Sequence, residues 1–116
     1  MSPAAGLRAY YAALDRRDPQ EAYRFFRMSG WDNNRWRQDL WRTAGCARVN
    51  DSYVLNQAPW SATVGIDLCV EDTKANKVHR WQGSLPMAKQ PDGRWALSGF
   101  KGIRRAGECD LSCRPR

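Results

Sequence analysis

The chain has 116 residues, 42% of them hydrophobic and 27% charged, which is the composition of one globular domain with one core. Mean hydropathy is −0.73 and no stretch approaches ~18 apolar residues, which excludes a spanning helix. Nineteen Lys and Arg against twelve Asp and Glu give a net charge of +7, a balance that favours anionic partners, but the basic residues are scattered from Arg8 to Arg116 and form no arm.

The first twenty residues hold no continuous apolar run and carry Arg8, Asp15, Arg16, Arg17 and Asp18, so no signal peptide is expected there. Ala4 to Leu14 reads as a helix, because Leu7, Tyr10, Tyr11 and Leu14 recur on one face of a 3.6-residue period. Asp18-Pro19-Gln20-Glu21 is a strong helix start: Asp18 caps, Pro19 suits the first turn, and Glu21 is placed to bond back to the cap. This second helix is expected to run to about Met28 and stop at Ser29-Gly30. After the turn cluster Asp32-Asn33-Asn34, a third helix is expected from Arg35 to Ala44, with Trp36, Leu40 and Ala44 on one face and Gly45 as its C-terminal cap.

The period then changes to two. In the first expected strand, Cys46 to Leu55, Val49, Asp51, Tyr53 and Leu55 share one face, and Cys46, Arg48, Asn50 and Ser52 the other. After the loop around Pro59 comes the clearest strand, with Val64, Ile66, Leu68 and Val70 facing one way and Asp67 and Cys69 the other. Asp72 to Asn76 is a turn. A third strand covers about Lys77 to Met87, with His79, Trp81, Leu85 and Met87 on one face. Gln90-Pro91-Asp92-Gly93 is a hairpin turn, and a last strand runs from about Arg94 to Arg104 with a bulge near Ser98-Gly99. The expectation is a single α+β domain over residues 1–104, three helices on a curved four-stranded antiparallel sheet, with a tail from 105 to 116.

Four cysteines, Cys46, Cys69, Cys109 and Cys113, fit two disulfides and hence an oxidising compartment, outside the cytoplasm. Free buried thiols are the alternative. Zinc is disfavoured, since Cys46 and Cys69 lie far apart in sequence and His79 is the sole histidine. A hairpin about Pro59 would bring Cys46 and Cys69 nearly opposite, so the expected pairing is Cys46–Cys69 with Cys109–Cys113.

The element order, with Tyr10-Tyr11-Ala12-Ala13-Leu14-Asp15-Arg16-Arg17-Asp18 early and Gln90-Pro91-Asp92-Gly93-Arg94-Trp95 before the last strand, resembles the NTF2-like (cystatin-like, SnoaL-like) superfamily over about residues 4–104. More loosely, it is similar to NTF2-like domains found outside the membrane in bacterial signalling or envelope proteins. The resemblance implies a cone of helices over a bent sheet and leaves chemistry open, because that superfamily holds both enzymes and binding modules.

The first functional expectation is therefore an extracytoplasmic, non-enzymatic module that binds a small ligand or an envelope or protein partner, with self-association through the outer sheet face. Trp36, Trp60, Trp81 and Trp95 are its candidate binding residues; Trp36, Trp81 and Trp95 also fall at core phases, and Trp60 beside Pro59 is the best exposed aromatic. The second is a SnoaL-like isomerase or dehydratase acting by proton transfer through His79, Asp51 and Tyr10, Tyr11 or Tyr53. Phosphate-loop, dinucleotide and metal signatures are missing, so no cofactor is expected. Arg35, Arg37 and Arg42 among Trp31 and Trp41 mix basic and aromatic character without any nucleic-acid module, so nucleic acid is not the expected partner.

Overall fold

The computed structural model describes residues 1–110. Three helices precede five strands: α1 (Pro3–Asp15), α2 (Pro19–Arg24), α3 (Asn33–Trp36, continued by a π-helical turn Arg37–Trp41), β1 (Ala44–Gln57), β2 (Ser61–Asp72), β3 (Lys77–Lys89), β4 (Trp95–Leu97) and β5 (Ile103–Glu108). All pairs between these strands are antiparallel; β1, β2 and β3 follow one another, and β4 and β5 share the far edge of β3.

The helix caps form as their side chains dictate. Ser2 Oγ accepts from the Ala5 amide, Asp18 Oδ1 from Glu21 and Asp32 Oδ1 from Arg35. Glu21 does not bond back to its cap; its carboxylate holds Arg24 at 3.1 Å. α2 stops at Arg24, short of Met28, because the next backbone is taken by the sheet. Leu97 N–H donates to the Phe25 carbonyl at 2.7 Å and Arg27 N–H to the Leu97 carbonyl at 2.8 Å. α3 likewise ends before Ala44, which already pairs with Asp72. Gly45 is thus a strand residue rather than a cap: a Cβ there would run into the Glu71 carboxylate, whose Oε1 accepts from the Cys46 amide.

The core lies between α1 and the inner sheet face. Leu7, Tyr10 and Leu14 meet Val64, Ile66, Leu68, Leu85 and Met87, as the two periodicities require. The expected last strand divides in two. Ser98 to Phe100 carry no ladder, and Gly102, at φ +113°, turns the chain into β5. Strand structure then continues past Arg104 to Glu108, into the segment expected to be a tail.

The disulfide pairing differs from expectation. Cys69 is joined to Cys109, 40 residues on. The hairpin closes at Gln57↔Ala62, a register that would set Asn50 opposite Cys69, and the two bulges in between carry it only as far as Arg48, short of Cys46. Cys46 is also disulfide-bonded. Cys113 lies outside the described residues.

Candidate functional site

A cavity of about 500 Å³ opens between α1, the π-helical turn and the inner face of the sheet. Tyr11 and Leu14 contribute from α1, Leu40 from the π-helical turn, Leu68 and Val70 from β2, and His79 and Trp81 from β3. Phe100 and Ile103, from the link between β4 and β5 and from β5 itself, complete a mostly apolar wall. Polar groups reach the same space from Tyr11, Thr43, Glu71, Asp72, Lys74 and His79.

Tyr11 and His79 stand out among these groups. Burial, and then the neighbouring Tyr10 ring 4.9 Å away, raises the Tyr11 phenol far above its ordinary ionisation range. Tyr11 is therefore a neutral hydroxyl on an apolar wall, able to donate. His79 is buried on β3 opposite Val70, and its Nε2 lies 3.7 Å from Asp72 Oδ2. Among the described residues, Nδ1 is buried without a partner.

The structure brings together only part of the expected catalytic set. His79 is on the cavity wall. Asp51 and Tyr53 are exposed on the opposite face of the sheet, paired with Asp67 and Gly65. The cause is the register shift between Val49 and Asp51: Val49 packs against the core, and the bulge rotates the odd-numbered residues beyond it outward. The Tyr53 ring lies over Gly65, where a Cβ would collide with it. Asp72, expected only as a turn residue, is the carboxylate nearest His79. The signal for it was the even phase of β2, which extends from Val64, Ile66, Leu68 and Val70 by one more step.

The candidate tryptophans separate in the same way. Trp81 is half-buried and lines the cavity. Trp36 is 0% exposed and donates its Nε1–H to the Tyr10 hydroxyl at 3.1 Å, as a core residue. Trp95 is buried against Gly6, which has no Cβ to strike the Trp95 carbonyl. Trp60 is 65% exposed at the β1–β2 hairpin.

Asp67, on the outer face, belongs to a different group of residues. It takes Arg80 Nη2 at 2.6 Å, Gln82 at 3.0 Å and Asn50 at 3.1 Å, and these hydrogen bonds, Arg80 foremost, hold its carboxyl far below the usual carboxylate range. Among the described residues no cluster of three or more His, Cys, Asp or Glu side chains is placed to hold a metal ion.

No protein-family model matches the sequence, and no curated protein matches it. Solved structures do. A ketosteroid isomerase-like protein from Erwinia carotovora atroseptica SCRI1043 superposes with a TM-score of 0.55 at 15% identity, covering 81% of this chain and 86% of its own. An NTF2-like superfamily protein from Salmonella enterica serovar Typhimurium LT2 superposes with a TM-score of 0.59 at 12% identity, covering 94% of this chain and 90% of its own. At such identities the likeness is one of fold: the chain has the NTF2-like fold.

Proposed function

We propose that this domain is an extracytoplasmic NTF2-like binding module that takes a small, largely apolar molecule into the cavity beneath α1. The observation that carries it is the cavity itself, about 500 Å³ with an apolar wall and a few convergent polar groups, the usual make-up of a small-ligand site. Tyr11 would donate to a polar atom of the guest, and Trp81 and Phe100 would cover its apolar body. Oxidised cysteines support a location outside the reducing cytoplasm. The test is titration of the oxidised chain with the apolar dye 1-anilinonaphthalene-8-sulfonate. Saturable binding is expected, and it should be lost in Val70→Trp, which fills the cavity from β2. Dye binding unchanged in a folded Val70→Trp chain would remove the proposal.

A second function, proton transfer on such a guest, is favoured by the His79–Asp72 pair on the same wall as Tyr11. It differs from the first in requiring turnover. Solvent deuterium entering an enolisable ketone, and lost in His79→Gln with dye affinity retained, would support it. Equal incorporation in the two chains would rule His79 out as the base.

A further inference from the structure

We propose that the Cys69–Cys109 bridge is a thiol-exchangeable clasp: a dithiol opens it, β5 comes away from β3, and the cavity loses a wall. Its last step rests on the binding function proposed above.

Among the described residues, β5 has few anchors besides this bridge and the Cys109 N–H donating to the Val78 carbonyl at 2.8 Å; Cys46 carries a separate disulfide. Of the six residues of β5 only Ile103 is even half-buried. It pairs with β3 at His79, Trp81, Gln82 and Gly83, with a register shift inside that short ladder. Gly102 and Gly107, at φ +113° and +101°, lie at either end. Its ion pairs, Lys77–Glu108 at 3.3 Å and Arg105–Glu108 at 3.9 Å, join exposed side chains and hold little. Cys109, just past the strand, is tied to Cys69 on β2. Yet β5 supplies Ile103 to the cavity and lies along the part of β3 that carries His79 and Trp81.

The two sulfurs are unequally placed. Cys69 is 1% exposed, whereas Cys109 is half-buried, so an incoming thiolate reaches Cys109 Sγ first. Cys69 is then the leaving group. Its Sγ already faces two donors, Asn50 Nδ2 at 3.4 Å and Arg48 Nη2 at 4.0 Å. The nearby Asp67 carboxylate is engaged by Arg80. Donors and a cation beside a departing thiolate lower its basicity and speed exchange. In the first step the external sulfur bonds to Cys109 Sγ, the Cys69–Cys109 bond breaks, and its electron pair leaves on Cys69. The second thiolate of the dithiol then attacks its own bound sulfur, forming the oxidised dithiol and releasing Cys109. Both cysteines take up protons, and two electrons pass from the dithiol to the protein.

The experiment exposes the oxidised chain to graded dithiothreitol, quenches with iodoacetamide, and maps the alkylated peptides alongside hydrogen exchange and dye binding. Cys69 and Cys109 should be alkylated at lower dithiothreitol than Cys46. The amides of 103–108 should lose protection in step, and dye binding with them. Arg48→Met should slow the opening on the order of fivefold, through a poorer leaving group. Cys69→Ser/Cys109→Ser should show fast exchange in 103–108 with no reductant. The clasp is overturned if Cys46 reacts first, if 103–108 stay protected once Cys69 and Cys109 are alkylated, or if Arg48→Met opens as fast as the parent. A chain that binds no dye when oxidised would defeat the cavity proposal alone; alkylation order and hydrogen exchange would still decide the clasp.

Discussion

Tyr10 and Trp36 make the test of how the helical layer is held. Their hydrogen bond, Nε1 to hydroxyl at 3.1 Å, links α1 to α3 inside a core where Trp36 is 0% exposed. Tyr10→Phe removes one oxygen and almost no volume, but it leaves the indole N–H buried without its acceptor. That orphaned donor costs about 1–3 kcal/mol. Trp36→Phe orphans the Tyr10 hydroxyl instead and also opens a void among Tyr23, Phe26 and Trp41, whose rings lie 5.4, 6.3 and 5.6 Å from the indole. Its expected cost is larger, about 3 kcal/mol or more. The double variant removes both partners, so its cost should fall short of the sum of the singles by about 1 kcal/mol. Urea unfolding of the oxidised proteins, followed by far-UV circular dichroism, reads all three. A Tyr10→Phe chain within about 0.3 kcal/mol of the parent, or strict additivity, would show that the hydrogen bond contributes nothing.

Two other outcomes follow from the packing of α1 on β4 and from the Asp67 ion pair. Gly6→Ala places a methyl on the Trp95 carbonyl oxygen and 2.9 Å from Trp95 Cβ, so α1 must lift from β4; the thermal midpoint should fall by roughly 10 °C, and an unchanged midpoint would mean the helix yields freely. Asp67 is depressed in the folded state, so its contribution is complete above the unfolded carboxylate value near ~4 and drains away as pH falls toward the folded one. The gap in urea midpoint between parent and Asp67→Asn should accordingly be wider at pH 7 than at pH 3, and a constant gap would contradict the Arg80 pairing.

The sequence made the helical layer legible because its signals are local: Ser2, Asp18 and Asp32 cap within three residues, and Leu7, Tyr10 and Leu14 mark a face without reference to the sheet. The inner face of β2 was legible for the same reason. Three departures have one origin, in that backbone pairing between distant segments overrides local pattern. Leu97 captured the end of α2, bulges in β1 turned Asp51 and Tyr53 away from the cavity, and closure of the β1–β2 hairpin at Gln57↔Ala62 left Cys46 out of line with Cys69. The candidate site was half visible. His79, Trp81 and Tyr11 were in view as types on faces, but the proximity of Asp72 depends on how the β2–β3 turn closes, where Asp72 Oδ1 accepts from Lys74 and Ala75 while Oδ2 faces His79.

The two main-chain bonds between Phe25–Arg27 and Leu97 have a consequence for how the domain melts. They splice the exit of α2 into the margin of the sheet, so the helical half cannot peel off without giving up its bonds to β4. Heat should therefore take the oxidised domain apart in a single step, with tryptophan fluorescence and backbone ellipticity tracing one curve.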